Sequence, residues 1–173
     1  MSELVDMPVV DLLPGQLWVG SGPAVLTTLL GSCVSVCLYA VGGVTGGMCH
    51  SVLPYHGGDC TGEGHRYVDC AIDIILSRMR RAGVRPGTIR AKLFGGADMF
   101  SISAGSAGGC SVGSKNIQAA KDVLAKERVT IVRESVGGTF GRKVIFYTAT
   151  GEAVMKLVGP RETGVANNRK RVS

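Results

Sequence analysis

Cys33 and His50 have the residue types and the spacing to act as a nucleophilic pair. Thr27-Thr28-Leu29-Leu30 reads as a strand that runs into a Gly31-Ser32 turn and delivers the cysteine at its end. After a further strand and a glycine-rich reversal, a second apolar segment delivers the histidine. A thiol at a strand end beside an imidazole on a neighbouring strand allows the ring to take the thiol proton and the thiolate to attack. Free N–H groups around Gly31 and Ser32 suit an oxyanion. Thr27 lies six residues before Cys33, and an even spacing keeps two residues on one face of a strand. The competing reading is structural. A cysteine in an apolar run is most often a small buried hydrophobe, and a single histidine a satisfied polar residue.

The elements that must position the pair follow in chain order. Residues 1–14 read as a lightly attached arm. Strands are expected over 16–19, 24–30, 34–39 and 46–53, the last carrying His50 and stopped by Pro54, which cannot continue a ladder. A loop over 55–64 borders the site. A helix follows over 67–82, with Val68, Ala71, Ile72, Ile75 and Met79 at helical spacing and Gly83 at its end. An alternating strand over 89–94 ends in Gly95-Gly96-Ala97. Then come a small-residue loop over 101–113, a helix over 114–126 with Ile117, Ala120 and Leu124 inward, a strand over 129–134, and a hairpin over 142–149 and 153–158 around Thr150-Gly151. The pattern describes a mixed α/β (α+β) protein with two to three helices and sheets that set one face against another layer. One domain spans 15–158, and 159–173 form a polar basic tail.

At 173 residues and 45% hydrophobic, the chain can bury a substantial core. Glu3, Asp6, Pro8 and Pro14 do not fit a signal peptide, and no run approaches the length of a membrane span. A cytoplasmic protein with no membrane insertion is expected. Its six cysteines contain no C-x-x-C, which predicts thiols rather than a disulfide framework. The net charge of +6 invites nucleic acid, but only 5% of residues are aromatic and no nucleic-acid motif appears. Arg78-Met79-Arg80-Arg81 at a helix end is electrostatically at home there, and Arg169-Lys170-Arg171 lies in the tail. An acidic protein partner fits this charge better than RNA or DNA.

Two other constellations carry less. Gly108 to Lys115 mimics a phosphate-binding loop, but Ser114 stands where that motif needs its lysine. Cys49, His50, His56, Cys60, His65 and Cys70 supply enough ligands for a structural zinc, yet their spacing fits no familiar zinc pattern, and Cys49 and His50 would point to opposite faces. No metal or organic cofactor is expected.

The segment Thr27-x-x-x-Gly31-Ser32-Cys33-Val34-x-Val36-Cys37-Leu38, followed by Gly47-Met48-Cys49-His50-Ser51-Val52-Leu53-Pro54, resembles the chemoreceptor glutamine deamidases, the CheD family. Further matches are Gly95-Gly96-Ala97-Asp98-Met99-Phe100, Asn116-Ile117, Gly137-Gly138, Gly141-Arg142 and Thr150-Gly151. The resemblance runs from about Gly15 to Val158. It implies a β-sandwich-like core flanked by helices, similar to the catalytic domain of the cytotoxic necrotising factors. It also implies Cys33 as nucleophile, His50 as its base and a threonine that orients the ring. Thr28 is adjacent, but the spacing to Cys33 favours Thr27. The implied activity is hydrolysis of receptor glutamines to glutamates through a thioester, as a protein-glutamine glutaminase. The implied partners are methyl-accepting chemotaxis receptors and a CheC-type phosphatase. Alternatives are a non-catalytic module that regulates such a phosphatase, or a small zinc-binding protein. One departure is Ser135-Val136 ahead of Gly137-Gly138, where related sequences often carry an acidic residue; Glu134 lies one step earlier.

Overall fold

Along 25–30, Leu26, Thr28 and Leu30 are buried while Leu29 is exposed, the alternation of a strand with one face on a core. A second pattern governs 34–40, where both faces are buried with little alternation. Such a strand needs a layer on each side. The computed structural model, which describes residues 6–99 and 110–159, supplies both layers. Strands β1 (Val9–Asp11), β3 (Val25–Leu30), β8 (Gly141–Tyr147) and β9 (Ala153–Val158) form one sheet in the order β1-β3-β8-β9. Strands β2 (Leu17–Ser21), β5 (Thr45–Cys49), β4 (Val34–Ala40), β6 (Ile89–Gly95) and β7 (Thr130–Val136) form the other, in that order.

Leu26, Leu30, Cys37, Met48, Phe94, Val144 and Phe146 fill the space between the sheets. Helices α1 (Val68–Arg81) and α2 (Val112–Lys126) cover the other face of the five-stranded sheet, over a core built from Val36, Leu38, Ile72, Ile75, Leu93 and Leu124. The described residues form a layered α+β domain of two sheets and two α-helices.

Several details differ from the sequence reading. Residues 9–12 are not lightly attached. Val9–Asp11 pairs in parallel with Val25–Thr27, and Leu12 is buried between the sheets. The strand expected over 46–53 ends at Cys49, and isolated bridges Val34–Ser51 and Leu53–Tyr67 hold the residues beyond it. Helix α2 starts at Val112 rather than 114, because Ser111 caps it by accepting the Ser114 N–H at 3.1 Å. The hairpin over the last two strands forms as expected. Phe100, Gly108, most of the 101–113 loop, and the tail from 160 onward with Arg169-Lys170-Arg171 lie outside the described residues.

Candidate functional site

Cys33 lies in the turn between β3 and β4, and His50 follows the last residue of β5. The antiparallel β4–β5 ladder pairs Cys37 with Met48, and the bridge pairs Val34 with Ser51. Continued through that bridge, the register sets Ser35 opposite His50 and leaves Cys33 diagonal to the histidine on the same face. Both side chains therefore enter the layer between the sheets, where the thiol is partly exposed and the imidazole is buried. The backbone of His50 is pinned as well: its N–H donates to the Gln16 carbonyl and its carbonyl accepts from Gly15, both at 2.8 Å.

Thr28, rather than Thr27, meets the ring. Thr28 Oγ1 lies 2.7 Å from His50 Nδ1, and the Leu12 carbonyl oxygen lies 3.2 Å from the same nitrogen. Thr27 faces outward and donates to Asp11 Oδ1 at 2.5 Å. The spacing argument fails because the Gly31-Ser32 turn interrupts the alternation, so parity counted back from Cys33 selects the wrong face. The Thr28 hydroxyl has one hydrogen, which it donates to Leu12 O at 2.7 Å. Its oxygen is then an acceptor toward His50, so Nδ1 carries the ring hydrogen and Nε2 keeps its lone pair. Sequence reasoning missed the Leu12 carbonyl, because no pattern marks a backbone oxygen as a ring anchor.

Burial pushes the His50 pKa below its ordinary value, opposed by the Leu12 carbonyl and by the Asp11 charge. Burial also pushes the Cys33 thiol up, with its own backbone N–H acting in the other direction. The resting pair is therefore neutral thiol and neutral imidazole, suited to proton transfer during attack rather than to a standing ion pair. A neutral base is required, so any reaction that uses it loses rate as pH falls through the His50 pKa, with an acid midpoint below about 6.5. Asp11→Asn removes a charge that favours imidazolium, and the midpoint moves lower still. Titration of the His50 ring by NMR checks both.

The turn that carries Cys33 rests on the end of β6. The Gly96 and Ala97 N–H groups donate to the carbonyls of Cys33 and Gly31 at 2.8 and 2.9 Å. Gly95 has φ +107°, and a Cβ there would overlap the Cys33 carbonyl oxygen. Gly95→Ala is expected to cost about 3 kcal/mol and to lower the melting temperature by about 10 °C. Gly42→Ala, also at positive φ but with open space around it, should cost only about 1 kcal/mol. Thermal melts of the two variants separate steric overlap from backbone strain.

The late glycines close the same corner. Gly137 N–H donates to Gly95 O, and the buried Arg142 guanidinium donates to Gly137 O at 2.9 Å and to Ser135 Oγ at 3.1 Å. Glu134 does not take Ser135's place, since it pairs with Lys121 of α2 at 3.1 Å. The six cysteines are not all thiols: Cys60 and Cys70 form a disulfide that ties the loop after the site to α1. Two members of the six-residue zinc set are thereby joined to each other, and Cys49 lies in the helix-side core, facing away from His50. Among the described residues, no group of three His, Cys, Asp or Glu side chains is placed to hold a metal ion, and no helix is long and apolar enough to cross a membrane.

A partly exposed thiol and a buried imidazole at adjoining strand ends, with a threonine hydroxyl behind the ring, form the candidate site of this α+β protein. The family model for "CheD chemotactic sensory transduction" matches residues 52–157, downstream of Cys33 and His50. A probable chemoreceptor glutamine deamidase CheD 2 from Geobacter sulfurreducens is 41% identical over 156 residues, covering 90% of this chain and 94% of the relative. A probable chemoreceptor glutamine deamidase CheD from Rhodospirillum rubrum is 39% identical, covering 88% and 84%. The corresponding protein of Sulfurimonas denitrificans is 38% identical, covering 85% and 92%. The chain belongs to the CheD family.

Proposed function

We propose that this protein hydrolyses glutamine side chains of chemoreceptors to glutamate and ammonia, with Cys33 as nucleophile and His50 as base. The observation that carries the reading is the committed His50 Nδ1, which leaves Nε2 as the acceptor on the face shared with Cys33. His50 takes the thiol proton while sulfur attacks the carboxamide carbon. The imidazolium returns that proton to the nitrogen, the C–N bond breaks and ammonia leaves. Water then attacks the thioester with His50 again as base, and the C–S bond breaks to release glutamate and restore the thiol.

The oxyanion falls to the N–H groups of Ser32 and Cys33. The carbonyl of Gly31 is held by Ala97 N–H and that of Ser32 by Asn116. In a trans peptide the N–H points opposite to its carbonyl, so both N–H groups turn away from those anchors. Thr28 serves as the orienting hydroxyl. We place the protein in the cytoplasm, where receptor signalling helices lie, and read its double sheet as akin to the necrotising-factor deamidases. A CheC-type phosphatase is the further partner that the family resemblance supports.

The test is incubation of the reduced protein with receptor cytoplasmic fragments. Each converted glutamine is read as a mass gain of about 1 Da with release of ammonia. An absence of gain from folded, thiol-intact protein overturns the proposal and favours a module that acts through its partner alone.

A further inference from the structure

We infer that Asn116 is a positioning residue for the Cys33–His50 pair, its side-chain amide joining the turn that carries the thiol to the segment that carries the ring. The inference rests on the reading of those two residues as the reacting pair.

Asn116 lies on α2 and is fully buried. Its Nδ2 donates to Ser32 O at 3.1 Å and to Val52 O at 3.0 Å. Ser32 immediately precedes Cys33, and Val52 is two residues beyond His50. Among the described residues, the last backbone pair between these segments is the Val34–Ser51 bridge. One step farther out, where Cys33 and Val52 would pair next, the two hydrogens of one amide connect the chains from the helix side. Because both partners are carbonyls, the NH₂ group must be the one that faces them. Asn116 Oδ1 is buried without a partner among the described residues, so the amide carries a desolvation cost that only its donated bonds offset.

Helix α2 is seated to make this reach possible. A Cβ at Gly113 would overlap the carbonyl of Gly96, so the first turn of the helix lies directly on the Gly95–Gly96 corner. Gly96 and the adjoining Ala97 hold the carbonyls of Cys33 and Gly31. Nucleophile turn, β6 end and α2 therefore form one contact, and Asn116 extends it to the histidine segment. Loss of the amide leaves each segment its own backbone anchors but frees the gap between them.

The experiment is the alkylation rate of Cys33 by iodoacetamide near neutral pH, read by mass spectrometry on the Cys33 peptide, which needs no receptor. Asn116→Ala is compared with wild type, and again in a His50→Ala background. The expected result is a slowing of about tenfold with His50 present and less than about threefold without it, since the coupling to the ring is what is lost. Asn116→Asp keeps the shape and loses the donors. It is expected to behave alike and serves where the alanine variant does not fold. Equal factors in both backgrounds, even with a lowered melting temperature, overturn the positioning role, as does a wild-type rate. An unchanged rate in His50→Ala alone overturns the pair itself, and the inference with it.

Discussion

Cys33→Ala is expected to reduce glutamine conversion by about 10⁴-fold or more, to background, with the fold intact. The turn at 31–33 is anchored through the carbonyls of Gly31, Ser32 and Cys33, none of which the substitution touches. Cys33 is only partly buried at the edge of the inter-sheet core, so its loss should cost stability no more than about 1 kcal/mol. His50→Ala should reduce conversion by about 10³-fold, since the thiol keeps its position but loses its base. The two losses should not add, because neither residue works without the other. Residual turnover in Cys33→Ala above that of a substrate blank would overturn the assignment of the nucleophile.

Thr28→Val, nearly isosteric, is expected to lower kcat by about 10²-fold, whereas Thr27→Val should change it by less than about threefold. Valine at 28 leaves Leu12 O, at 3.2 Å, as the acceptor for His50 Nδ1 among the described residues, so the ring keeps its tautomer but loses its closer anchor. The same change removes a buried hydroxyl that bonds Leu12 O as well as the ring, at a stability cost of about 1–2 kcal/mol. Thr27→Val removes only the hydroxyl's bond to Asp11 on the outer face. A kcat series on both variants settles which threonine serves the ring; equal losses would return the role to a shared strand effect.

Much of this architecture was legible because hydrophobic period and turn chemistry are local signals. Helix α1 reads from its apolar stripe, and the β8–β9 hairpin from Thr150-Gly151 between two apolar strands. Cys33 and His50 stand out because each ends a strand-like run. What was not legible depends on groups far apart in the chain. Thr28 was hidden by one turn that breaks strand parity, and the Cys60–Cys70 disulfide by a composition that argues for free thiols. Leu12 was hidden because a three-residue strand in a short apolar segment between two prolines carries almost no periodic signal. Asn116 was visible as a residue, but its two acceptors lie 84 and 64 positions away.

The position of β1 at the edge of its sheet gives catalytic competence a threshold of its own. Among the described residues its three residues pair with β3 alone, and Leu12 brings to the ring a carbonyl that both Thr28 and His50 address. Short edge segments open at free energies well below that of global unfolding. Opening of residues 9–12 would leave the helix-side core standing while withdrawing Val10 and Leu12 from the core between the sheets. Yet Nδ1 would exchange a carbonyl for water, and the ring would lose its fixed tautomer. Amide exchange at Leu12, whose N–H is held by Thr27 O, should therefore report the fraction of molecules able to react more faithfully than any measure of overall stability.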